Sequence, residues 1–125
     1  MINGVHVLFH STNAEADRVF LRDVIGFRTI DVGGGWLIFA LPPAEAAVHP
    51  GDEKYLFRHA ERSMLGAEIY LMCDDLKAEM QSLQQKGVEF SKIDETAWGI
   101  KTTIRLPSGG ELGLYQPLHP TALAK

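Results

Sequence analysis

The second half of this 125-residue chain repeats the pattern of the first. Gly4-Val5-His6-Val7-Leu8-Phe9 opens an apolar run, and a helix-like stretch then closes at Gly26-Phe27. Gly66-Ala67-Glu68-Ile69-Tyr70-Leu71 opens a matching run, and a second helix-like stretch closes at Gly87-Val88. The two openings are 62 residues apart and the two closings 61. Equal modules in a chain this short pack as a pseudo-symmetric pair, so a shared pocket is expected on the inward faces of both. The length suits one domain with a real hydrophobic core.

Local patterns assign each module an order of elements. Val5–His10 is an apolar, weakly alternating run and predicts a buried strand. Ser11-Thr12-Asn13 offers helix caps, and Thr12 with Glu15 fits a capping box. Ala16, Val19, Phe20, Val24 and Phe27 recur at helical spacing, and Gly26 is the expected stop. Phe27–Val32 and Trp36–Leu41 read as strands joined by Gly33-Gly34-Gly35. That glycine run has no following helix start and no Lys-Ser/Thr pair, so it is a hairpin turn and not a phosphate cradle. Pro42-Pro43 breaks the strand, Ala44–His49 is a weaker fourth strand, and Pro50–Leu65 reads as a polar, irregular linker. Arg58 and Arg62 on this linker would meet an anionic substrate group if the loop folded over a pocket.

In the second module Ala67–Met72 is a strand. Asp74 or Asp75 caps a helix carrying Leu76, Met80 and Leu83, and Gly87 stops it. Val88–Ile93, Gly99–Leu106 and Glu111–Gln116 are the remaining strands, with Ser108-Gly109-Gly110 as a turn. Pro117 and Pro120 end the pattern. The expected fold is α+β: one domain of two βαβββ modules, approximately residues 1–60 and 66–118, forming a cupped mixed sheet.

Composition narrows the partners. Sixteen acidic against twelve basic residues leave a net charge of −4, and the basic residues are scattered, which argues against nucleic acid. No apolar run approaches the roughly 18–20 residues of a membrane span, and the N-terminus lacks a signal-peptide pattern, so the expected location is cytoplasmic. The single cysteine, Cys73, is flanked by Asp74 and Asp75, whose charges disfavour a thiolate; it is expected to be a structural thiol.

The paired βαβββ order, Asp74-Asp75-Leu76 opening the helix that ends at Gly87-Val88, and the closing Trp98-Gly99, Leu106-Pro107-Ser108-Gly109-Gly110 and Leu114-Tyr115-Gln116-Pro117 together resemble the vicinal oxygen chelate superfamily. Its members include glyoxalase I, extradiol dioxygenases, fosfomycin-resistance proteins, methylmalonyl-CoA epimerase and bleomycin-resistance proteins. The resemblance spans nearly the whole chain, with Leu106 standing where the family's turn carries aspartate. Fold does not fix function in such a group.

In metal-dependent members of this superfamily, ligands come from the first and last strands of each module. The resemblance places His6 at the first-strand histidine and Glu68 at its counterpart in the second module, where histidine is usual. The last-strand glutamate is replaced by Gly113; Glu111 lies two residues earlier on the same face, about 6–7 Å along the strand. His49 is the stand-in for the first module's fourth-strand ligand, with Glu45 on the same face.

The implied metal set is His6, His49 and Glu111, with Glu68 as a fourth ligand or, if displaced, the general base. Two imidazoles and two carboxylates suit Zn, Mn, Fe, Co or Ni. His10, Trp36, Tyr70, Trp98 and Tyr115 are the candidate substrate-pocket residues, although each aromatic could equally serve the core. Two functions remain open. One is a divalent-metal-dependent lyase, isomerase or dioxygenase acting on a substrate with adjacent oxygens. The other is a metal-free protein that sequesters a drug or metabolite, as in the bleomycin-resistance branch. The resemblance also implies a homodimer.

Overall fold

The computed structural model describes residues 1–123. The second half builds the central sheet. Strand β5 (Tyr70–Met72) runs parallel to β8 (Glu111–Pro117), β8 is antiparallel to β7 (Gly99–Arg105), and β7 to the short edge strand β6 (Asp94–Glu95). Helix α2 (Leu76–Gln84) connects β5 to the rest. The Asp75 carboxylate caps it by accepting from the Ala78 amide, and the Gln116 side chain accepts from the Leu76 amide, which ties the helix start to β8.

Alternation along β7 and β8 separates two faces. Ile104, Leu112 and Leu114 point to the helix side, where Leu76, Val88 and Leu21 complete the buried core. Leu21 comes from the first half. It follows α1 (Ala14–Phe20) in a π-helical turn, Leu21–Ile25, and Phe20, Val24, Ile25 and Phe27 pack around it. Asp17 locks this docking: its carboxylate accepts from the Ser11 hydroxyl (2.6 Å) and from the Ser108 amide across the domain (3.0 Å). Burial works against the charged form of Asp17, yet these hydrogen bonds outweigh it and hold the carboxyl below its ordinary pKa.

Several expectations are met. Asp75 caps α2, Gly26 and Gly87 end their helical segments in the left-handed conformation (φ of 88° and 80°), and Gly33, Gly34 and Gly35 form the turn between β1 (Thr29–Asp31) and β2 (Leu37–Phe39).

Others are corrected. Asn13, not Thr12, caps α1, accepting from the Ala16 amide, because the Thr12 hydroxyl turns to the Ser108 carbonyl. The apolar run Val5–His10 forms no strand, since no neighbour in the chain offers it a ladder. The same is true of Ala44–His49. The segment between the modules is not irregular: after a 3-10 turn at Glu53–Tyr55 it folds into a hairpin, β3 (Leu56–His59) and β4 (Arg62–Leu65), turned by Ala60 and Glu61 at positive φ. Val88–Ile93 contributes only the bridge of Phe90 to Ile104, and β6 forms beyond it.

Candidate functional site

The face of the sheet opposite the helices carries the candidate site. From β8 it presents Glu111, Gly113 and Tyr115, from β7 Gly99, Lys101 and Thr103, and from β5 Tyr70 and Met72. Tyr70 stands beside Gly113, and its ring lies across the glycine, so that a Cβ there would overlap ring carbons. Tyr115 does the same to Gly99. In both places the absent side chain is what lets a tyrosine lie against the backbone. The Tyr70 hydroxyl donates to Glu68 (2.7 Å), and the Tyr115 hydroxyl donates to the Trp98 carbonyl (2.9 Å). The ring centroids are 6.0 Å apart at an interplanar angle of 62°, so the two rings make an edge-to-face corner.

Charge frames this floor. The Lys101 ammonium lies 5.5 Å from the Tyr70 ring centroid. The hydrogen bond to Glu68, together with burial and the charges of Glu68 and Asp94, pushes the Tyr70 phenol up to about 12, so it stays protonated and donating at neutral pH. The Tyr115 phenol is also raised, by burial and then by Glu45. At the start of β8 the Glu111 carboxylate accepts from the Thr103 hydroxyl. Glu68 and Glu111 are thus each held by a hydroxyl, that of Tyr70 and that of Thr103.

The other candidates lie elsewhere. His6 is exposed on the unpaired N-terminal segment. His49 is exposed, with Nδ1 donating to the Pro50 carbonyl at 2.7 Å. His10 packs against Phe57 and His59 of the β3 strand, with centroids 4.6 and 5.0 Å away. Trp36 lies under the Arg18 guanidinium, 4.7 Å from its ring, and Trp98 is exposed beside Tyr115. Glu45 accepts from the Ala122 amide.

Among the described residues no three His, Cys, Asp or Glu side chains gather as a metal site. Glu68 and Glu111 are engaged by hydroxyls, and the Tyr70 ring fills the space above Gly113. Within one chain the donor set does not fit a metal.

Gly99, Lys101 and Gly113 are the site residues that sequence reading passed over as a set. Their signal was the period of two along β7 and β8, which aligns glycines with tyrosines on one face. On the opposite side a groove of about 490 Å³ is lined by Leu71, Cys73, Ala78, Leu83 and Phe27. Burial, followed by Glu79, Asp74 and Asp75, pushes the Cys73 thiol up to about 11, which disfavours its thiolate at neutral pH.

No protein-family model matches the chain, and no curated protein matches it by sequence. Solved structures do. An antibiotic binding protein from a Streptomyces species (TnmS3) is 23% identical with a TM-score of 0.58, over 94% of this chain and 98% of that one. A lactoylglutathione lyase from Agrobacterium tumefaciens superposes with a TM-score of 0.61 at 13% identity, over 91% of this chain and 92% of that one. A member of the glyoxalase/bleomycin resistance protein/dioxygenase superfamily from Sphaerobacter thermophilus gives 0.57 at 21% identity, over 92% and 98% of the two chains. At these identities the likeness speaks for fold alone. The chain has the mixed α+β fold of the glyoxalase/bleomycin resistance/dioxygenase proteins, as its resemblance to the vicinal oxygen chelate superfamily implied.

Proposed function

We propose that this protein binds and sequesters a small organic molecule in the cup formed by β5, β7 and β8. The observation that carries this reading is the pairing of Gly113 with Tyr70. Where metal-dependent proteins of this fold present a carboxylate, this chain has no side chain, and an aromatic ring takes the space. An aromatic and polar lining is what a small-molecule pocket needs. The likeness to an antibiotic binding protein supports the same reading.

We further propose that the two modules, 1–60 and 66–118, work as one domain whose cup is completed in a homodimer. The chain exposes 9842 Å². A compact monomer of 13.8 kDa exposes about 6,600 Å² by the usual scaling. The excess, roughly 3,000 Å², is well above the ~800 Å² per partner of a standard interface. Much of it is apolar and in the first half: Val5 is 86% exposed and Val48 fully so, with Ile2, Leu8 and Leu65 beside them in this class. A second copy is the partner whose surface is available wherever this chain is.

A second reading keeps the metal-dependent lyase, isomerase or dioxygenase. It draws on the carboxylates of Glu68 and Glu111, held by Tyr70 and Thr103, with His6 and His49 delivered from a second copy. Elemental analysis of untagged protein, purified without chelator and then exposed to Mn, Fe, Co, Ni or Zn, separates the two. Sequestration expects substoichiometric metal and a raised Tm with small-molecule ligands. About one metal per chain, lost in His6→Ala, overturns it.

A further inference from the structure

We infer that His10 and His59 form a two-imidazole site for a divalent transition metal of the zinc, nickel or copper kind, where the N-terminal segment meets the β3–β4 hairpin. Neither residue belongs to the sheet that forms the cup, so the site stands whatever the cup binds.

The two histidines come from parts of the chain that share no ladder. His10 ends the unpaired apolar run, and His59 ends β3. Their ring centroids are nonetheless 5.0 Å apart, with the planes at 52°. Two imidazoles that share a tetrahedral metal through bonds of about 2.0–2.1 Å place their centroids roughly 5 Å apart, so the separation is that of a chelating pair. Turning either ring about its terminal torsion changes which nitrogen faces the neighbour and hardly moves the centroid.

The nitrogens are free for a metal. Among the described residues His49 and His119 each engage Nδ1 with a carbonyl, whereas neither His10 nor His59 makes a hydrogen bond. Both are exposed, so a hydrated ion can reach them. Phe57 sets where they sit. Its ring lies 4.6 Å from that of His10 and 6.1 Å from that of His59, which follows two residues later on the same face of β3. A pair held in place loses little conformational entropy on binding. Arg62, opposite His59 on β4, is exposed and long enough to turn its charge into solvent. Imidazole donors suit zinc, nickel and copper, whereas magnesium prefers oxygen.

Two protein ligands leave the remaining positions to water, so the ion exchanges and comes away on desalting. Purified protein then carries little metal, as sequestration in the cup also expects. Calorimetric titration of the untagged full chain with zinc and nickel salts, with magnesium as the control, tests the site directly. One zinc or nickel ion is expected per chain, and no magnesium. His10→Ala and His59→Ala should each weaken zinc about tenfold or more, because one imidazole alone cannot chelate. His6→Ala and His49→Ala should leave the affinity within about twofold. Circular dichroism checks that each variant is folded, and His59→Ala decides if His10→Ala is not.

No uptake of zinc or nickel, or uptake that survives His59→Ala, overturns the site and leaves sequestration standing. Uptake lost in His6→Ala but kept in His59→Ala overturns both, because the metal then belongs to the donor set of the cup. Uptake lost in His10→Ala and in His59→Ala, and kept in His6→Ala, establishes the site with the sequestration reading intact.

Discussion

The two halves begin with the same kind of segment and meet different fates. Tyr70–Met72 pairs with β8 as the edge strand of a four-stranded sheet, while His6–His10 joins no ladder among the described residues and stays largely exposed. The first half's hairpin, β1 with β2, is a sheet of two, whereas its counterpart β7 is flanked on both sides. Five of the six buried apolar core residues belong to the second half, and Leu21 is the exception. A strand's pattern records that it will be buried but not by whom. The same opening pattern therefore ends in a four-stranded sheet in one half and outside any sheet in the other.

The sharpest test of this asymmetry is a core truncation. Ile104 is fully buried between β7 and the helices. Ile104→Ala should cost about 2–5 kcal/mol in urea unfolding, with no dependence on protein concentration, because the core it leaves is internal to one chain. A cost below 1 kcal/mol would mean that the second half is not the stable unit.

Asp17 joins the halves and should rank next. Its acceptance from Ser11 and Ser108 makes Asp17→Ala cost about 1.5–3 kcal/mol, the range for hydrogen bonds to a charged group. The pH dependence has a definite sign. The folded pKa lies below the ordinary 3.8, so the stabilisation is full above pH 3.8 and disappears as pH falls through the lower folded value. Asp17→Asn should flatten the stability curve across that acid window. A curve parallel to the wild type there would show that the carboxylate is not the clamp.

Much of this was readable from residues alone. Gly26 and Gly87 announce helix ends because only glycine enters the left-handed region at little cost, and Asp75 announces a cap because its carboxylate suits an exposed amide. Choosing between Thr12 and Asn13 was beyond local sequence, since the choice turns on Ser108, far along the chain. The hairpin of β3 and β4 was obscured by its charges, which face solvent on a ribbon exposed on both sides. The candidate site was read through its chemistry-bearing residues, His6, His49, Glu68 and Glu111, whereas its shape depends on two residues with no side chain. Gly113 becomes informative only when register sets it beside Tyr70, and Gly99 only when the Tyr115 ring lies across it from the neighbouring strand.

The paired glycines allow a smaller and more symmetrical test. Both Gly26 and Gly87 have positive φ and open space around the missing Cβ. Alanine at either position should therefore cost only the backbone term, about 1 kcal/mol, by thermal or urea unfolding. Unequal costs would show that the two helix ends, alike in geometry, bear different loads.

The smallest effect is expected at Val5, and it depends on concentration. Nothing in one chain covers this side chain, so Val5→Ser should change the stability of the dilute monomer by no more than about 0.5 kcal/mol. If a second copy covers it, the same substitution should cost about 1–2 kcal/mol once the protein is concentrated enough to dimerise, because an apolar side chain then leaves a buried site. Sedimentation equilibrium should show the matching loss of dimer. An effect equal at both concentrations would locate Val5's partner within its own chain and remove the asymmetry between the halves. A growing effect would identify the unpaired N-terminal segment of the first module as the surface through which the repeat is completed.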